Sequence, residues 1–225
     1  LVAACGCARF PADRPIGQDV RLVFTMTVDG KLRSGFEQDS GGLPYVYMVA
    51  LRAAFEDNPR ERGPIPVVAP PWGNGFVAGE VTHFVWWNPQ TSPRFTLYRF
   101  RDQLLNEFFP IGVPANFQEV NPGDRVLRFE LNLTQLAASP TDVPNLRSLQ
   151  LNFLTMDRIA QSGTSKLWDA LGDGRDPTQI NLPVTIPLTQ SGVYDNRRAG
   201  NIEPRQDVVD PDLDIVDWSV EVRRQ

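Results

Sequence analysis

Any chemistry in this chain has to be built mainly from carboxylates, since it carries 27 Asp and Glu residues, 22 Lys and Arg residues and a single His. The densest acidic group is Asp207, Asp210, Asp212, Asp214 and Asp217. Alternate residues of an extended segment project to one side, so Asp210, Asp212 and Asp214 repel one another unless a cation, a basic partner or full solvation relieves them. With Glu221 downstream, their spacing imitates the ligand ladder of an EF-hand loop. Ile215 stands where that loop needs Gly, however, and Asp217 stands where it needs an apolar residue. The expectation is a looser, all-oxygen Ca2+ site at Asp210, Asp212 and Asp214. Arg205 and the Arg223–Arg224 pair are the cations that would otherwise neutralise it. Asp169, Asp173 and Asp176, around Gly172 and Gly174, form a second acidic candidate.

Nucleophilic catalysis needs a base beside the nucleophile, usually His. His83 lies mid-strand with Val81 and Val85 on its own face and reads as a packed histidine. No nucleophile-elbow, phosphate-loop or dinucleotide-binding glycine pattern is present, so no catalytic residue is assigned. A positioned carboxylate pair would suffice for a glycan hydrolase, which is the alternative enzymatic reading. The only cysteines, Cys5 and Cys7, are one residue apart, too close for an unstrained disulfide and too few for zinc.

Aromatic residues supply the remaining signal. Trp72 lies in the Gly-flanked loop Pro70-Pro71-Trp72-Gly73-Asn74-Gly75-Phe76, and Trp86-Trp87 follows in the next strand. A loop-borne Trp gives a large contact area at low entropic cost, so Trp72, Asn74, Phe76 and Trp87 are the expected ligand- or partner-binding residues. Neighbouring strand residues face opposite sides, so at most one of Trp86 and Trp87 shares the core.

Leu1-Val2-Ala3-Ala4-Cys5-Gly6 resembles the end of a bacterial lipoprotein signal peptide, in which small residues precede the cysteine that receives the lipid. The resemblance covers these residues alone. It implies cleavage before Cys5, lipid on its sulfur, and a lipid-anchored place in the cell envelope, on the periplasmic or cell-surface face.

On this reading residues 1–19 comprise a signal-peptide remnant, the lipidation site and a tether, and residues 20–225 form one domain. Twenty Pro and 17 Gly are spread along the chain, which favours many turns and few long helices. Val20 to Val28 alternates with period two, as do Arg125 to Leu133, Leu146 to Thr155 and Val216 to Val222. Tyr45 to Phe55 is nearly continuous and apolar, as a strand buried on both faces would be. Glu80 to Trp87, Arg94 to Arg101, Leu182 to Leu188 and a short Ile65 to Ala69 complete the strands, and Asp29-Gly30 reads as a hairpin turn. The predicted fold is an all-β, single-domain antiparallel β-sandwich of about eight to ten strands, with long Pro/Gly-rich loops. Short helices are predicted at Asp102 to Phe109 and Ser165 to Leu171. Phe24, Phe129, Leu131, Phe153 and Trp218 are expected to share the core.

A net charge of −5 gives no attraction to nucleic-acid phosphates, so nucleic acid is excluded as a partner. No apolar run approaches the ~18 residues of a membrane-spanning helix. These features together point to a non-catalytic, lipid-anchored extracytoplasmic binding or assembly module. It would serve as an accessory subunit of an envelope complex or bind an extracellular polysaccharide. A self-assembling surface or fibre subunit is the remaining alternative.

Overall fold

The computed structural model describes residues 20–35, 44–60, 63–66, 74–159, 166–176 and 183–224. Cys5, Cys7 and Trp72 lie outside them. The described strands, in chain order, are β1 (Val20–Val28), β2 (Val46–Ala54), β3 (Pro64–Pro66), β4 (Val77–Gly79), β5 (His83–Trp87), β6 (Phe95–Phe100) and β7 (Phe108–Gly112). They continue with β8 (Asn116–Phe117), β9 (Val126–Asn132), β10 (Ser148–Met156), β11 (Trp168–Ala170), β12 (Val184–Pro187), β13 (Gly192–Asp195) and β14 (Ile215–Arg224). All pairings are antiparallel.

One sheet runs β13-β14-β1-β9-β8, and the other runs β11-β10-β2-β5-β6-β7 with β12 sharing the β11 edge of β10. β3 and β4 form a small two-stranded sheet. The chain is all-β, and its two large sheets enclose a common core to which both contribute inward residues. Phe24, Phe129, Leu131, Phe153 and Trp218 all belong to that core. Phe24 and Phe129 face each other in register and stack at 5.0 Å, and Phe153 packs against Trp218 at 5.9 Å. Such aromatic pairs add to the gain from apolar burial.

The seven-stranded sheet is also covered on its outer side, where Met48, Ala50, Phe76, Phe84, Phe100 and Leu154 form a second apolar layer. This explains the continuous apolar run of β2 and the complete burial of β10, since both are central strands with two covered faces.

Neither predicted helix forms among the described residues, whose only helical segments are 3-10 turns at Leu133–Leu136 and Val143–Asn145. The chain from Asp102 instead closes a turn in which the Asp102 carboxylate accepts the Asn106 and Glu107 amides, and it then enters β7. Within the second predicted helix, Trp168–Ala170 is strand β11, recruited by the open edge of β10. Asp29-Gly30 is not a hairpin either. The chain leaves β1 there for the other sheet, and the Asp29 and Gly30 amides donate to the Asp214 and Pro211 carbonyls. A side chain at Gly30 would meet Asp212 Oδ1 at 2.1 Å, so only glycine allows this approach.

Candidate metal centre

The acidic ladder does not form a shared site. Asp210 accepts the Tyr45 hydroxyl at 2.7 Å and the Asp212 amide at 3.0 Å. Asp212 accepts the Lys31 amide at 2.8 Å and pairs with Arg33 Nε at 2.7 Å. Both oxygens of Asp214 receive the Gln206 amide, at 3.1 and 3.0 Å. Each carboxylate therefore serves a different donor, and the group ties the end of β1 to the start of β14. The basic partner is Arg33. Arg205 lies instead beside Asp29, and Arg223 beside Glu221 and Glu130.

A different set of acids converges nearby. Oxygens of Asp169, Glu203 and Asp207 all lie within 4.8 Å of one another. Asp169 and Asp207 come from the two separate acidic groups of the sequence. Asp173, of the Asp169–Asp173–Asp176 grouping, pairs with Arg175 on the surface. Nothing local marks Glu203, which stands between Ile202 and Pro204 with no acidic neighbour.

Each segment that carries one of these acids is anchored. Asp169 sits in the middle of β11, opposite Thr155 of β10, and its two oxygens accept the Ala170 and Ile215 amides at 2.9 and 2.7 Å. It thereby links the edge of the seven-stranded sheet to the first residue of β14 in the other sheet. The turn after β11 donates inward, with the Gly172 amide to Glu203 Oε2 at 3.0 Å and the Gly174 amide to Asp207 Oδ2 at 2.7 Å. A side chain at Gly174 would crowd Asp207 Oδ2 at 3.1 Å, and Gly172 has φ of 120°. Glycine thus suits both positions. Asn152 of β10 holds the same turn by accepting the Leu171 amide at 3.0 Å.

These hydrogen bonds leave two oxygens unused, because Glu203 Oε1 and Asp207 Oδ1 are buried and have no partner. Asp169 and Glu203 are each 2% exposed, and Asp207 is half-buried. Among the described residues no Lys, Arg or His side chain pairs with any of the three. Burial, and then the neighbouring acids, push the Asp169 carboxyl well above its ordinary range and Glu203 up to about 11. Burial and the adjacent Asp214 carboxylate raise Asp207 to about 6, against the Gly174 amide, which lowers it. A cleft of about 260 Å3, lined by Lys166, Trp168, Asp169, Gly174, Asp207 and Val209, reaches two of the three acids from solvent, and Glu203 is not part of its lining.

The expected aromatic site is distributed differently. Trp87 is in the main core against Tyr47, and Phe76 is buried in the outer apolar layer. Their burial removes both from any contact surface. Asn74 closes its own loop, accepting the Phe76 and Val77 amides and donating to the Leu105 carbonyl. Trp86 is the outward member of the tryptophan pair, half-buried at 6.4 Å from Tyr98. The phase of the strand decides this, because Trp87 is on the Val85 face.

His83 is buried, with Nδ1 2.9 Å from the Thr82 hydroxyl, which itself donates to the Leu51 carbonyl. Nε2 is left without a partner. Burial, reinforced by Arg99, lowers its pKa to about 4. A cleft of about 390 Å3 beside it is lined by Phe55, Glu80, Arg101, Asp102 and Leu146.

Comparison with protein-family models, characterised proteins and solved structures returns no match, so function has to be read from the residues themselves.

Proposed function

We propose that the protein is a non-catalytic, extracytoplasmic binding or assembly module, held at a bacterial membrane by lipid on Cys5 and serving as an accessory subunit of an envelope complex. The observation that carries this reading is the β7 edge. Among the described residues β7 has a strand partner on one side only, and Leu104, Phe108, Ile111 and Val113, in and beside it, are exposed apolar residues. A free strand edge offers main-chain donors and acceptors in a pattern that another polypeptide matches, and apolar side chains beside it add contact area. That combination favours a protein partner.

One observation supports a polysaccharide instead, namely the half-buried rings of Trp86 and Tyr98 on the outer sheet face. A glycan hydrolase finds less support in the acidic cluster, because Asp169 and Glu203 are too deeply buried for a sugar to reach both.

A photo-crosslinking residue at Ile111, in protein expressed in its host, tests the reading. An adduct with a different envelope protein supports it. An adduct of the chain with itself points to a self-assembling subunit, and absence of any adduct contradicts an edge-docked partner. Retention on insoluble glycan that is lost in Trp86→Ala would transfer the function to polymer binding. Intact-mass analysis of the same material reads lipid on Cys5 directly, and an unmodified Cys5 would remove the anchor.

A further inference from the structure

We infer that Asp169, Glu203 and Asp207 bind a divalent cation, Ca2+ by their chemistry, which clamps the turn after β11 to the loop leading into β14. The inference does not depend on the partner proposed above.

The cluster offers more than acidity. Glu203 is almost wholly buried, and one of its oxygens is fixed by the Gly172 amide while the other is buried without a partner. Asp207, half-buried and beside the Asp214 carboxylate, has Oδ2 fixed by the Gly174 amide while Oδ1 receives no donor. Such backbone donors orient ligating carboxylates and leave the opposite oxygen for the metal. A carboxylate oxygen has two lone pairs, so the oxygens of Asp169 can ligate while accepting their amides.

Ionised, these buried carboxyls carry a large desolvation cost that a cation repays, and without one they hold protons instead. Asp212 shows the alternative in the same molecule, since its carboxylate has Arg33. Among the described residues no basic side chain pairs with the Asp169 cluster, Arg175 being held by Asp173, and the cleft gives a small ion and water a way to Asp169 and Asp207. Oxygens at the mutual limit of 4.8 Å would lie about 2.8 Å from a shared centre, so a closure of a few tenths of an ångström brings all three into the Ca–O range of about 2.3–2.6 Å. The donors are all oxygen, with no His or thiolate, which selects a hard cation over zinc or copper. Solvent from the cleft would fill the remaining positions.

The test uses the full chain stripped with chelator and then titrated with CaCl2, following calorimetric heat and melting temperature. Bound Ca2+ raises melting once its concentration exceeds the dissociation constant, because only the folded form presents the site. Glu203→Gln and the more exposed Asp207→Asn should each weaken Ca2+ binding at least tenfold, while Asp212→Asn should leave it within about twofold. Terbium adds a second readout, since Trp168 lines the same cleft and should sensitise its emission, and Trp168→Phe should remove that emission without abolishing Ca2+ binding. If the stripped protein shows no heat and no melting shift at millimolar Ca2+, or if Glu203→Gln and Asp207→Asn bind Ca2+ as the parent does, the site is overturned. In that case the acids share protons rather than metal, and Glu203→Gln would raise stability by relieving repulsion.

Discussion

Asn196 clasps the peptide of Glu203 from both sides. Its Nδ2 donates to the Glu203 carbonyl at 2.8 Å, and its Oδ1 accepts the Glu203 amide at 2.9 Å. Asn196 itself is fixed by its own amide, which donates to the Trp218 carbonyl of β14. The position of the buried carboxylate is thus transmitted from the sheet through one amide side chain. Asn196→Ala should orphan the Glu203 amide at a cost of about 1–3 kcal/mol. It should also weaken Ca2+ binding although Asn196 is not among the ligands. Urea unfolding in chelator measures the first effect and calcium titration the second; a variant that loses stability but keeps its Ca2+ affinity would remove Asn196 as a positioning residue.

Phe129 stacks on Phe24 and also meets Phe95, in a core shared by both sheets. Truncation to Ala should cost about 3–5 kcal/mol through lost burial and the cavity left behind. The urea midpoint should drop with little change in slope. A loss below about 1 kcal/mol would mean that this core collapses around the gap.

The Arg33–Asp212 pair is mostly sheltered, and Tyr47 Oη joins it by accepting the Arg33 amide and donating to the Asp212 carbonyl. Asp212→Ala should lower stability by about 1–3 kcal/mol, because the Lys31 amide loses its acceptor and Arg33 loses its contact with this carboxylate. The deficit should be the same with and without Ca2+. A deficit that Ca2+ repairs would place the cation on the acidic ladder after all.

His83 makes the fold sensitive to acid. Its folded pKa of about 4 lies below the ordinary value of 6.5, so between these limits the unfolded chain holds the proton and the folded chain does not. Stability must therefore fall as the pH drops from 6.5 towards 4 and level off below that. The full window corresponds to about 3 kcal/mol. Comparing the parent with His83→Leu across this range isolates the contribution, since other titrating groups are common to both. Parallel stability curves would show that His83 takes up its proton without penalty.

Much of the scaffold was legible from periodicity. β1, β9 and β14 alternate because each has one face on the core, and Tyr45 to Phe55 runs apolar because β2 is covered twice. β7 was hidden by its position, since an edge strand with exposed Phe108 and Ile111 has no inward period to read. β11 is three residues long and exists only because the edge of β10 accepts it.

The acidic site was half legible, and for a topological reason. Asp169 and Asp207 both stood out as members of acidic runs, but β11 must join β10 before the two come together. Glu203 carries no local signal, because its neighbours in sequence are unrelated to its neighbours in space. The Asp210–Asp214 spacing suggested convergence that the turn geometry disperses, sending each carboxylate to its own donor.

The most direct test of the cation clamp is anomalous diffraction from crystals of the protein grown with Ca2+ and, separately, with Tb3+. The account predicts one strong peak within about 2.3–2.6 Å of oxygens from Asp169, Glu203 and Asp207, reproduced by both ions. A map with no peak there, or with its peak beside Asp210 and Asp212, would contradict it.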